Sequence, residues 1–333
     1  MILKVVGGVL AAVGVGAGVL IGRFAYRNLD SFGRYARDVE QIGFVEKQAV
    51  VNGVTFNYAE SPPNGPALLI IPGQGSDWKS FGNVLPELAA EFHVFAVDVH
   101  GHGGTDHTPD RYTAVQVGTD LQQFLIEIVG KPAIVSGHSS GGQLAAWLGA
   151  NAPDQVSAVL LEDPPMLTTL LPRAQKTWNW VDLASSCHAF LTEYPTYPAE
   201  GDVPSYLWEH QYMWKYFGNS ARRMQRAGVK RRLTNPDEPI KIWWWPGYDY
   251  QRSLTTYDPR FGDAFYTGAW DEGFDHEATL RAIEQPTIYL HAKADYDGEI
   301  LRGAADDEDA KRIMELLPNA QYVQTGTGHG VHN

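Results

Sequence analysis

Ser139 stands in Gly137-His138-Ser139-Ser140-Gly141, a G-x-S-x-G run. The apolar stretch Pro132-Ala133-Ile134-Val135 precedes it, and Gly142-Gln143-Leu144-Ala145-Ala146-Trp147-Leu148 follows. That order predicts a strand, a tight turn and a helix, with the serine hydroxyl exposed at the turn. Small flanking residues let the backbone turn sharply, and a helix start aims N–H groups toward the hydroxyl. A serine hydroxyl is a poor nucleophile until a base takes its proton, so a histidine oriented by a carboxylate is required. His329, in Gly326-Thr327-Gly328-His329, follows the last predicted strand, where a loop would return it to the strand ends. His332 is its rival. His138, His100 and His102 sit near the same edge and read as packing or pocket-lining groups, His138 being a candidate for substrate contact. His329-x-x-His332 lacks the carboxylate or cysteine set of a metal site. No metal and no organic cofactor is expected.

These residues need a scaffold. Phe44 to Glu60 alternates around Asn52-Gly53, a hairpin signal. Apolar strands are expected at Ala67–Ile71, His93–Asp98, Ala133–Val135, Val156–Leu161, Pro286–Leu290 and Gln321–Val323. Helices are expected at Trp78–Glu91, Ala114–Val129, after Ser139 and at Ala304–Leu317. Short apolar strands separated by helices predict an α/β fold, its central sheet mostly parallel and flanked by helices. The rhythm breaks between Met166 and Ala282. That stretch holds Trp178, Trp180, Trp208, Trp214, Trp243-Trp244-Trp245 and Trp270, and reads as an inserted, mainly helical, aromatic-rich cap. Trp208 and Trp214 are candidate substrate contacts there. An aromatic lid over the serine favours a lipophilic small-molecule substrate, and one face of Trp243–Trp245 could meet a membrane interface.

The 333-residue chain carries a net charge of −13, which argues against nucleic acid as a partner. Its single cysteine, Cys187, excludes an intrachain disulfide. Ile2 to Gly22 has one charge, Lys4, and is long enough to span a bilayer as a helix. Gly14, Gly18 and Gly22 fall four apart, a spacing that permits homo-oligomerisation through helix contact in lipid. Arg23, Arg27, Arg34 and Arg37 follow, so a single-pass anchor would leave the catalytic part on the cytoplasmic side; a cleaved secretory signal is the alternative. The expected organisation is an anchor helix over 1–23, a connector over 24–43, a core over 44–165 and 283–333, and a cap over 166–282.

Ile71-Pro72-Gly73-Gln74-Gly75, Asp98-Val99-His100-Gly101-His102-Gly103, Gly137-His138-Ser139-Ser140-Gly141 and Gly328-His329 occur in the order found in the α/β-hydrolase fold superfamily, which the chain resembles over about 44–165 and 284–333. The match is to its serine-nucleophile branch with an inserted cap. The resemblance implies oxyanion donors at the Ser140 N–H and the Gln74 N–H. It implies an acid after the seventh strand, Asp295, with Asp297 two residues on; some members place the acid after the sixth strand, here Asp163. It also implies cleavage of a lipophilic or aromatic ester or lactone, or an amide, by a Ser-His-Asp triad. Carbon–carbon bond hydrolysis, cofactor-free haloperoxidase chemistry and ligand binding without catalysis remain alternatives. Dehalogenases and epoxide hydrolases of this fold use an aspartate nucleophile, and Ser139 argues against both.

Overall fold

The computed structural model describes residues 16–24, 26, 31–236, 238–240 and 248–332. Eight strands form one sheet: β1 (Val45–Val51), β2 (Val54–Glu60), β3 (Ala67–Ile71), β4 (His93–Val97), β5 (Ala133–His138), β6 (Val156–Glu162), β7 (Thr287–His291) and β10 (Ala320–Gln324), in the order β1-β2-β4-β3-β5-β6-β7-β10. A separate two-residue pair, β8 (Tyr296–Asp297) and β9 (Ile300–Leu301), lies in the segment after β7. The hairpin β1–β2 is antiparallel and turns at Asn52 and Gly53, both with positive φ (50° and 78°), as a two-residue hairpin turn requires. β2 runs antiparallel to β4, and the remaining six strands are parallel.

Burial follows this order. Every residue of β3, in the middle of the sheet, is buried, whereas β10 at the edge has four exposed residues of five. Helices cover the faces, among them Ala114–Phe124, Ser140–Asn151 and Asp307–Leu316. Phe56, Phe95, Phe124, Val135 and Leu161 belong to one continuous core, and each such side chain adds roughly 1.5–3 kcal/mol relative to exposure. The chain passes from β3 to β4 on one side and returns to β5 on the other. The loops that follow β3 and β5 therefore diverge from neighbouring strand ends and leave a crevice there. That crevice holds the candidate site.

The expected helix Trp78–Glu91 is split into a 3₁₀ turn, Trp78–Phe81, and a helix, Leu85–Glu91. A side chain at Gly82 would collide with Tyr35, so the break accommodates the helix Ser31–Gln41 beneath it. Between β6 and β7 no strand occurs among the described residues, only turns and helices, the longest of them Ala221–Thr234. Trp208 and Trp214 pack there with Ala221 and Ile240 as a small core of their own.

The single-pass anchor expected over the N-terminus is corrected. Among the described residues no helix is long and apolar enough to cross a membrane. Residues 1–15 lie outside the described residues. The cytoplasmic placement drawn from that anchor goes with it. Trp243–Trp245 also lie outside the described residues.

Candidate active site

Ser139 is the residue between the end of β5 and the helix Ser140–Asn151, with φ 56° and ψ −125°. A positive φ on a non-glycine residue costs on the order of 1–3 kcal/mol and persists only where the surroundings enforce it. Here they do. The Ser139 N–H donates to the Glu162 carbonyl at 2.9 Å, and the Ser139 carbonyl accepts from Gly142 N–H at 2.8 Å. A Cβ on Gly137 would land on the Gly141 carbonyl, and one on Gly141 would land on the Ile71 carbonyl. The two glycines of the motif are thus demanded by backbone packed against backbone.

The loop after β3 runs alongside. A Cβ on Gly73 would stand 2.8 Å from the Ser139 Cβ, so this loop can lie beside the nucleophile elbow only with glycine there. Among the described residues neither the Gln74 N–H nor the Ser140 N–H has a hydrogen-bond acceptor. Both residues line the same cavity as Ser139. His102 holds this loop from below. Its Nδ1 donates to the His100 carbonyl at 2.8 Å, which leaves Nε2 to accept the Gly75 N–H at 3.0 Å. Burial pushes His102 down to about 4, so it remains the neutral tautomer that this bond needs. Gln74 Nε2 donates to the Tyr257 hydroxyl at 2.7 Å, and Ser253 Oγ donates to the Gly75 carbonyl. Sequence reasoning gives His102 a packing or pocket-lining role; the signal for more is its place in His-Gly-His-Gly shortly after a strand.

His329 reaches the site from the segment after β10. Its Nδ1 lies 2.6 Å from Asp163 Oδ2. A carboxylate only accepts, so Nδ1 carries the proton and the Nε2 lone pair is left free. Asp163 is fully buried directly after β6, with φ 46°. Its N–H donates to the Leu290 carbonyl at 2.8 Å, and its Oδ1 accepts the Ala292 N–H at 3.1 Å. Backbone from the neighbouring strand therefore fixes both ends of the residue. Ser139 and His329 line one cavity of about 660 Å³. No hydrogen bond joins them among the described residues, a looseness usual in a site without substrate.

The acid first assigned, Asp295, is corrected to Asp163. Asp295 is exposed and forms a two-pronged ion pair with Arg302, at 2.6 and 2.5 Å, and that guanidinium holds its carboxyl below the usual range. Asp297 engages Lys215, Tyr212 and Tyr216 instead. The three side chains named for substrate contact are also corrected. His138 Nε2 donates to the His329 carbonyl at 2.7 Å; burial and the two neighbouring histidines hold it well below the ordinary histidine value. Trp208 and Trp214 are buried, and their indole N–H groups donate to the carbonyls of Gln225 and Trp208. None of the three lines the cavity. Its aromatic walls are Trp178, Trp180 and Phe265. His332, the rival base, pairs with Glu162 at 3.0 Å and stacks on Phe81.

Residues 66–185 match the family described as alpha/beta hydrolase fold. The chain is 34% identical over 93 residues to the Magnesium-chelatase 30 kDa subunit of Rhodobacter capsulatus, covering 28% of this chain and 33% of that one. It thus spans about a third of that relative's length. It is 22% identical to Epoxide hydrolase 3 of Xenopus tropicalis, over 80% of this chain and 73% of the relative. A hydrolase from Pseudomonas aeruginosa PA01 superposes with a TM-score of 0.60 at 20% identity, covering 86% of this chain and 91% of that one. With its elbow at Ser139, its sheet order and this matched segment, the chain has the α/β-hydrolase fold.

Proposed function

We propose that the chain is a hydrolase that cleaves a lipophilic or aromatic ester or lactone through an acyl-enzyme on Ser139. The observation that carries this reading is the pairing of a left-handed serine elbow with a buried-aspartate–histidine pair, both facing one cavity. Ser139 Oγ attacks the substrate carbonyl as His329 Nε2 takes its proton. The Asp163 carboxylate holds the ring through Nδ1–H and stabilises the imidazolium that forms. Charge on the former carbonyl oxygen is met by the Gln74 and Ser140 N–H groups, the latter at a helix start. His329 then protonates the leaving alcohol, and water, deprotonated by the same base, releases the acyl group. Trp178, Trp180, Leu183, Met213 and Phe265 supply apolar walls, which favours a substrate with substantial apolar surface. The likeness to an epoxide hydrolase does not carry over, because the elbow residue is an alcohol rather than a carboxylate.

Labelling with a fluorophosphonate probe tests the proposal. Wild type should label and Ser139→Ala and His329→Ala should not; a folded wild type that fails to label would replace the hydrolase with a ligand-binding protein.

A further inference from the structure

The same cavity has a second set of polar groups that the proposed chemistry does not use: Asp182, Gln211 and Gln251. All three are buried, at 6%, 4% and 1% exposure. Asp182 accepts the Met213 N–H at 3.3 Å and also the Tyr212 N–H, and among the described residues it has no cationic partner. Burial pushes its carboxyl up to about 6. Gln251 Nε2 donates to Gln211 Oε1 at 3.3 Å, whereas Gln251 Oε1 has no donor among the described residues. Backbone N–H groups offset only part of the cost of burying the Asp182 carboxylate without a cation, and the Gln251 carbonyl has no donor to offset its own. Trp180 Nε1–H, on the same lining, is a buried donor without an acceptor among the described residues, and a donor-bearing occupant of the cavity would complete the bonding of Asp182 and its two neighbouring amides. The cationic lining groups, Lys293 and Arg302, belong to the segment after β7, and Arg302 is already paired with Asp295.

We propose that the wall formed by Asp182, Gln211 and Gln251 selects substrates that carry a hydrogen-bond donor, a hydroxyl or a protonated amine, on an otherwise apolar body. This deepens the reading of the site as an acyl hydrolase and rests on it. A site built to hydrogen-bond a donor rejects the analogue that lacks it, because the site's own polar atoms are then left unpaired.

The test uses p-nitrophenyl esters from butyrate to octanoate, each as the plain, ω-hydroxy and ω-amino acid. In wild type at least one donor-bearing ester should exceed its plain counterpart in kcat/KM by about tenfold, the gain expected of one buried hydrogen bond to a charged group. Gln251→Leu should shrink that advantage for both donors, and Asp182→Asn should shrink it most for the amine. Plain esters turned over as well as the others, with ratios unmoved by either substitution, would overturn the proposal. A second arm is independent of turnover: octanol, octanediol and 8-aminooctanol titrated into Ser139→Ala, read by the fluorescence of Trp178 and Trp180. Tighter binding of the donor-bearing ligands there upholds the wall even if wild type neither labels nor hydrolyses, an outcome that would sink the hydrolase reading alone. Equal affinities would remove the wall.

Discussion

Two acidic residues end neighbouring regions of the sheet, and they serve opposite purposes. Asp163, after β6, is fully buried, takes a backbone N–H on one oxygen and faces His329 with the other. Asp295, after β7, is exposed and spends both oxygens on Arg302. The two share residue type and place at the strand ends, yet only one orients an imidazole. Around Asp295 the segment is engaged elsewhere. The β8–β9 pair reaches toward the stretch between β6 and β7 through Thr177–Leu301, Lys176–Glu299 and Asp297 with Lys215. Charge on a loop that binds its neighbours is unavailable for catalysis. Burial with one oxygen held by backbone and the other presented to a ring is what separates an orienting carboxylate from a structural one.

That contrast can be broken experimentally. Ser139→Ala should lower turnover of any substrate by about 10⁴-fold or more, and active-site titration checks it. Asp163→Asn should come next, with kcat lower by roughly 10³–10⁴-fold because the imidazole loses its tautomer and orientation. Asparagine tolerates positive φ, so circular dichroism should show the fold intact. Gly141→Ala should cost several kcal/mol of stability, about 3 or more, since its Cβ would meet the Ile71 carbonyl; urea unfolding at neutral pH measures this.

His102→Gln probes the loop that carries Gln74. His102 titrates near 4 in the fold against an ordinary value of 6.5. Between those values the unfolded chain takes up a proton that the folded one refuses, so this residue removes stability as pH falls from about 6.5 toward 4. The variant should lose that share of the acid sensitivity. Asp98, pushed up to about 7 by burial and by Asp77, acts in the opposite sense over roughly pH 4 to 7. The measurement is therefore the difference between variant and wild-type unfolding midpoints across that range. The smallest effect belongs to Asp295→Asn, which should leave kcat/KM within about twofold, the weight of an exposed ion pair. A loss as large as that of Asp163→Asn would reverse the comparison.

The sheet and the elbow were legible because local chemistry specifies them. Ala67–Ile71 is an unbroken apolar strand, Asn52-Gly53 a two-residue hairpin, and Gly137 and Gly141 the residues a serine elbow must have. The carboxylate was not legible in the same way. Its selection depends on the directions in which the segments after β6 and β7 leave the sheet, and spacing along the chain does not encode direction. The aromatic contacts failed for a related reason. Composition places Trp208 and Trp214 in the stretch over the sheet, but packing decides that they face each other, with ring centroids 4.7 Å apart, while Trp178 and Trp180 line the cavity.

Sequence by itself therefore determined the serine elbow, the histidine proposed to serve it and where most strands fall along the chain, since these rest on short motifs and hydrophobic period. Tertiary structure alone decided which acid meets the histidine and which histidine braces the loop carrying Gln74. It also left Asp182 without a cation and Gln251 Oε1 without a donor among the described residues of the cavity wall. Those choices arise where chain segments far apart in sequence meet, and a buried polar atom's role is set by the partner it meets there.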